Sequence, residues 1–157
     1  MADRGLFRGH ALQGIDAKGR VAIPAPLRAT IERNTGEKVL LLGVHGSAPC
    51  LTGADTGLAQ IDYARLQRAE ERALDAGQAV DDSVARLAFG ITEELPFDAS
   101  GRFILPAFFR DSAGLTDQAF FLGTGERFEI WNPQTLLAAE LPEQLKKVVQ
   151  YHLGGRA

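Results

Sequence analysis

Two arginines have the setting that recognition chemistry needs, because Arg20 and Arg102 each close the same lead, Asp-x-x-Gly. In such a stretch the aspartate (Asp16 or Asp98) can accept hydrogen bonds from N–H groups two residues on. The glycine (Gly19 or Gly101) supplies the positive φ that a tight turn needs. The side chain after the glycine then projects past a sheet edge. A guanidinium placed there can grip a phosphate or a guanine edge with two parallel hydrogen bonds. A competing reading pairs each arginine with the aspartate four residues earlier. The two readings are compatible, since the carboxylate can orient the guanidinium. Asp16 and Asp98 would repel phosphate and are therefore read as structural. Lys18, at the tip of the first turn, is a point charge suited to positioning a phosphate. Arg8 fits either a backbone contact or a contact between subunits. Arg28 and Arg110 lie a turn into helices, where an ion pair or a subunit contact is expected in preference to DNA.

Other constellations are poor. His10, His45, His152 and Cys50 have no metal-ligand spacing, so neither metal nor cofactor is expected. Gly43-Val-His-Gly46 and Gly123-Thr-Gly125 are not followed by a helix bearing Lys-Ser/Thr, and read as hairpin turns rather than phosphate loops. Ser47 and Ser83 lack a nucleophile-elbow context. The pairs Glu70/Glu71, Asp81/Asp82 and Glu93/Glu94 are adjacent in sequence, so their side chains diverge on a helix or a strand and form no acid–base dyad. An enzyme is not expected. Trp131, Phe128 and Phe108 read as core or interface anchors.

The elements that must hold the arginines come in two copies. Residues Asp16–Arg28 match Asp98–Arg110 at an offset of 82, with identities at Asp16/Asp98, Ala17/Ala99, Gly19/Gly101, Arg20/Arg102, Pro24/Pro106, Ala25/Ala107 and Arg28/Arg110. Val39–Gly43 corresponds to Ala119–Gly123, and Cys50–Thr52 to Glu129–Trp131. Two units are too few for a solenoid and suggest a pseudo-twofold α+β domain. In each half the pattern predicts a short strand (Ala11–Ile15, Leu95–Phe97), the turn, and a returning strand (Val21–Ile23, Phe103–Leu105). A short helix with Pro24 or Pro106 at its first position follows, and then a hairpin. The hairpin strands are Lys38–Gly43 with Pro49–Thr52, and Ala119–Leu122 with Arg127–Trp131. Gly57–Leu74 reads as a helix, Asp82–Leu87 as a second. Asn132 caps another, and a last one opens at Leu141-Pro142 and runs through about His152. The expected divisions are 5–56 and 89–140 for the repeats, 57–88 for a helical linker, and 141–157 for a C-terminal helix and tail.

Composition permits this arrangement. The chain has 157 residues, of which 45% are hydrophobic and 24% charged, enough for a real core without wholesale disorder. A single cysteine excludes an internal disulfide framework and fits a reducing compartment. Arg4, Arg8, Lys18, Arg20 and Arg28 occupy the first thirty residues without an apolar core run, and Val39–Val44 is far too short to span a bilayer, so a cytoplasmic protein is expected. Net charge is −3, but its distribution is uneven. Residues 1–28 hold five Lys/Arg against Asp3 and Asp16, a balance of +3. Residues 53–98 hold ten acids against four arginines, a balance of −6. Screening over about 8 Å lets a local cationic surface act despite distant acids, so global acidity does not veto nucleic acid.

Phe7-Arg8-Gly9, the Asp16-x-Lys18-Gly19-Arg20 turn, its recurrence at Asp98–Arg102, and the second-half ending Arg127-Phe-Glu-Ile-Trp-Asn132 together resemble the MraZ family, from about residue 5 to residue 140. The resemblance implies a fold related to the AbrB and MazE DNA-binding families: a double swapped-hairpin β-barrel built within one polypeptide from two tandem repeats, with flanking helices. It further implies a DNA-binding transcriptional regulator associated with the nucleoid. Such a protein forms a ring homo-oligomer, an octamer or larger, and binds double-stranded DNA carrying short direct repeats. Its target would lie upstream of a cell-division and cell-wall gene cluster, which the family usually represses. Arg20, Lys18, Arg102 and Arg8 would carry DNA contact. The alternative is a MazE-like antitoxin binding DNA and a toxin partner, although residues 142–157 read as a helix rather than a polar disordered arm. Ser100 stands where the first turn has Lys18, so the two halves need not contact DNA equally.

Overall fold

The computed structural model describes residues 3–154. The chain forms eight strands and six helices among these residues. In order they are β1 (His10–Gly14), β2 (Arg20–Ala22), α1 (Ala25–Thr35), β3 (Val39–Val44), β4 (Leu51–Ala54), α2 (Leu58–Asp75), α3 (Asp82–Ala85), β5 (Glu93–Pro96), β6 (Arg102–Ile104), α4 (Ala107–Ser112), β7 (Gln118–Gly123), β8 (Phe128–Trp131), α5 (Pro133–Ala138) and α6 (Glu143–Leu153). Every element expected from the sequence is present, with ends shifted by one or two residues. Pro24 and Pro106 sit one position earlier than expected, as N-caps with φ −54° and −63°. The helix opened by Asp82 ends at Ala85, and the chain continues as a π-helical turn, Arg86–Gly90.

The strands pair antiparallel and exchange between the halves. A six-stranded sheet runs β1-β7-β8-β4-β3-β5, and a separate two-stranded ribbon joins β2 to β6. Each half keeps its own hairpin, β3–β4 or β7–β8. The strand before each turn instead joins the other half's hairpin: β1 lies on β7, with His10 opposite Leu122, and β5 lies on β3, with Leu40 opposite Leu95. Each half's hairpin therefore carries a strand of the other half.

Period-two alternation assigns the faces. Leu40 and Leu42 of β3, Phe121 of β7, and Phe128 and Ile130 of β8 point to one side. There they meet Val21, Phe103 and Leu105 of the ribbon, Leu27 and Ile31 of α1, and Phe109 of α4 in the main core. Burying Val21 and Phe103 contributes about 1.5–3 kcal/mol each and holds the ribbon flat on that core. On the opposite face Phe120, Trp131 and Cys50 pack with Leu136 of α5 and Val149 of α6 in a second core. The C-terminal helix is therefore a packed element, with Val149 fully buried. No helix among the described residues is long and apolar enough to cross a membrane.

Candidate nucleic-acid interface

Each turn is built by one carboxylate. Asp16 Oδ1 accepts the N–H of Lys18 and of Arg20, both at 2.9 Å, and Asp16 Oδ2 accepts the Arg20 Nε at 2.7 Å. The Asp16 N–H donates to the Arg20 carbonyl at 3.1 Å, and the Gly19 N–H donates to the Asp16 carbonyl at 3.0 Å. Asp98 does the same with Ser100 and Arg102, at 2.9 Å for all three side-chain bonds. Gly19 and Gly101 have φ 81° and 85°, the left-handed region in which a side chain costs about 1–2 kcal/mol. The arrangement lowers both carboxyl pKa values from the ordinary aspartate value. The backbone N–H of Arg20 is the largest cause at Asp16, and that of Arg102 at Asp98. Both aspartates are thus anionic at neutral pH and bind the guanidinium by its inner Nε. Among the described residues the terminal Nη groups of Arg20 and Arg102 make no hydrogen bond, and both side chains are about half exposed.

The ribbon brings the two arginines onto one face. Arg20 stands opposite Ile104, Val21 opposite Phe103, and Ala22 opposite Arg102. Val21 and Phe103 are buried while Arg20, Arg102 and Ile104 are exposed, so Arg20, Ala22, Arg102 and Ile104 form the outer face. The two arginine side chains are 48% and 58% exposed, too open for their ion pairs with Asp16 and Asp98 to add much stability. They occupy diagonal positions about 7–8 Å apart at the backbone, beside a shallow depression lined by Gly14, Ile15, Asp16 and Ala22. Lys18 is exposed at the tip of the first turn.

Arg8 is not brought to this face. Phe7, just before it, exchanges backbone hydrogen bonds with Gly125 at 2.7 and 3.0 Å, at the far end of β1 from the turn. Arg8 lies six positions before Gly14, a span of up to about 20 Å. Among the described residues Arg28 and Arg110 form no ion pair, one of the two roles expected of them beside a subunit contact. Arg28 Nη1 donates to the Ile23 carbonyl at 2.7 Å, and Arg110 donates to the carbonyls of Leu115 and Thr116. Arg28 also lies under Gly101, within 3.0 Å of where a Cβ would stand, and Arg110 lies under Gly19. Each half's helix arginine therefore packs beneath the other half's turn, while its hydrogen bonds go to backbone carbonyls of its own half. Pro24 and Pro106 start the helices that carry these arginines.

Two features escaped sequence reasoning. Asp55 is fully buried, and its carboxylate receives Arg4 (2.8 and 3.2 Å) and Asn34 Nδ2 (2.9 Å). Asn34 also binds the N–H and carbonyl of Gly5, so this cluster pins the N-terminal segment. No local pattern marks it, because Arg4 and Asp55 are 51 positions apart. Ile104 is the second, and here a signal existed: alternation along Arg102–Ile104 sets it on the arginine face. Burial, aided by the Glu129 charge, pushes the Cys50 thiol up to about 12, which makes it inert. No cluster of three metal-ligating side chains occurs among the described residues. Of the anticipated aromatic anchors, Trp131 and Phe128 are buried, while Phe108 is 59% exposed.

Strand-exchanged halves that press two Asp-x-x-Gly-Arg turns into one exposed ribbon define a class of two-repeat α+β proteins with a paired-arginine face. Similarity to known proteins narrows the class. The family model described as "MraZ protein, putative antitoxin-like" matches residues 88–139. The chain is 33% identical over 138 residues to the transcriptional regulator MraZ of Parvibaculum lavamentivorans, covering 88% of this chain and 83% of that protein. It is 32% identical over 131 residues to the transcriptional regulator MraZ of Citrobacter koseri, covering 83% and 82%. The transcriptional regulator MraZ of Gluconobacter oxydans is 34% identical over 131 residues, covering 82% and 77%. The chain belongs to the MraZ family.

Proposed function

We propose that the chain is a DNA-binding transcriptional regulator whose contact surface is the outer face of the β2–β6 ribbon. Arg20 and Arg102 grip phosphate or guanine through their free Nη forks, and Lys18 positions a further phosphate. Arg8, remote from the ribbon, serves a separate backbone or inter-subunit contact. The observation that carries this reading is two half-exposed guanidinium groups, each held by its Nε, on one face of a two-stranded ribbon. A ribbon of that width fits the major groove. The name its relatives carry, transcriptional regulator, supports the regulatory role.

In the same reading, residues 5–56 and 89–140 are AbrB-like repeats, 57–88 a helical linker, and 141–157 a C-terminal helix and tail. The strand exchange is then the intramolecular form of a swapped-hairpin barrel. One subunit offers about two to four phosphate contacts, which bind weakly at physiological salt. A ring of eight or more subunits would engage evenly spaced direct repeats together, and avidity would raise affinity by about 10² or more. The protein then acts in the cytoplasm, on the nucleoid, upstream of a cell-division and cell-wall gene cluster, as a repressor. The antitoxin-like alternative needs a free arm for a toxin. Packing of α6 against the second core speaks against one, and co-purification of a small toxic nuclease would reinstate it.

The test is a gel shift on the region upstream of the chain's own gene. Arg20→Ala and Arg102→Ala should each weaken binding at least about tenfold, and three repeats should bind far more tightly than one. Unchanged binding by both variants would remove the ribbon from consideration, and equal affinity for one and three repeats would remove the ring.

A further inference from the structure

The outer face of the ribbon carries one large apolar side chain, and the two ends of the ribbon differ in it. Ile104 is 66% exposed, more than any other large hydrophobic side chain among the described residues, and stands opposite Arg20. Its counterpart at the other end, opposite Arg102, is Ala22. The hydrogen bonds flanking the ribbon, Leu105 N–H to the Gly19 carbonyl and Ile23 N–H to the Gly101 carbonyl, both at 2.9 Å, fix the pairing type. They make Arg20/Ile104 and Ala22/Arg102 the non-hydrogen-bonded pairs, whose side chains approach most closely, with Cα atoms about 4.5 Å apart. Ile104 therefore stands directly beside Arg20 on the same face of the ribbon.

A lone exposed isoleucine is ordinary on a protein surface. This one sits on the face that the proposed function turns toward DNA, where its chemistry has a partner. In the major groove, thymine alone among the four bases presents a methyl group, and apolar side chains recognise it by contact. We propose that Ile104 is a specificity-determining residue that packs on a thymine 5-methyl group beside the site held by Arg20. This rests on the DNA-binding reading above. The Ala22 end is too short for the same contact, so the methyl is read at one end of the ribbon only and each subunit has a direction on its DNA.

The test compares duplexes of the chain's own upstream region, amplified with either thymidine or deoxyuridine triphosphate, in anisotropy titrations of the full chain. Wild type should bind the thymine duplex about fourfold more tightly per methyl contacted. Ile104→Ala should bind both duplexes alike, at the wild-type level for deoxyuridine, and Ile104→Val should keep part of the preference. The inference is overturned if wild type shows no preference, if Ile104→Ala retains it, or if Ile104→Ala changes particle mass in light scattering, which would make Ile104 a contact between copies. Arg20→Ala and Arg102→Ala, run alongside, separate the two failures. Weakened binding by these variants with no thymine preference in wild type sinks the methyl contact alone; unweakened binding sinks the DNA reading beneath it.

Discussion

At the first turn Asp16 gathers the N–H groups of Lys18 and Arg20 together with the Arg20 Nε; at the second Asp98 gathers those of Ser100 and Arg102 with the Arg102 Nε. Corresponding bonds agree within 0.2 Å. What the two turns carry differs. The first has Lys18 at its tip and Ile104 across the ribbon; the second has Ser100 and Ala22 in those places. The ground beneath them differs too. A Cβ on Gly101 would come 2.7 Å from the Ile23 carbonyl oxygen, whereas a Cβ on Gly19 would stand 3.5 Å from that of Leu105. The two turns share the bonds that aim each guanidinium and differ in the neighbouring side chains. A symmetric scaffold thereby presents an asymmetric surface.

The unequal space beneath the glycines should give the largest measurable contrast between the turns. Gly19→Ala should cost about 1–2 kcal/mol, because it puts a side chain in the left-handed region. Gly101→Ala suffers the same strain and must also push backbone apart at the Ile23 carbonyl, adding about 1–3 kcal/mol of overpacking. Ile23 has little room to yield, since its own N–H is bonded to the Gly101 carbonyl. Urea denaturation of the two variants should therefore rank Gly101→Ala clearly below Gly19→Ala. Equal destabilisation would mean that the ribbon yields freely at its second end.

The carboxylates come next. Both have lowered folded pKa values, with a backbone N–H as the largest cause. An acid so shifted contributes its stability fully above its unfolded value, about pH 4, and that stability fades as pH falls through the lowered folded value. Wild-type stability should decline with acid in that window, and Asp16→Asn and Asp98→Asn should each flatten the decline. Because backbone donors lead at both sites, Arg20→Ala should leave the Asp16 carboxyl titrating below the ordinary value of 3.8, as followed by carbon NMR. A return to 3.8 would transfer the leading role to the guanidinium.

The turns were legible in the sequence because their chemistry is local: Asp-x-x-Gly-Arg contains the acceptor, the positive-φ residue and the projected cation within five positions. Most helices and hairpins followed from equally local proline, cap and glycine-turn signals. What local pattern could not supply was partnership. That β1 lies on β7 rather than beside β2 depends on which hydrophobic face is left uncovered, and only the family resemblance pointed to exchange between halves. Arg28 and Arg110 suggested an ion pair or a subunit contact because helix position says nothing of the backbone carbonyls and the glycine that the fold brings to them. Nothing local marks Asp55, since its partners Arg4 and Asn34 arrive from distant positions. The helix from Asp82 was expected to reach Leu87; instead it widens into a π-helical turn where Phe89 packs edge-on against Tyr63, with ring centroids 5.9 Å apart.

The smallest effect concerns the charge at the tips. If Lys18 holds a phosphate, Lys18→Ser removes one ionic contact per engaged subunit. The slope of log affinity against log salt should then become shallower by about 0.9 for every phosphate released in this way. Affinity at physiological salt should drop only a few-fold, because a solvated lysine is a positioning charge and not a base reader. Ser100→Lys should steepen the slope by a like amount if the second tip lies equally close to the backbone. The exchange of both residues separates charge from place. If the two tips are equivalent, the doubly substituted chain regains the wild-type slope and affinity. If the surface has a direction, the slope returns while affinity stays below wild type, because the cation then sits at the end lacking Ile104.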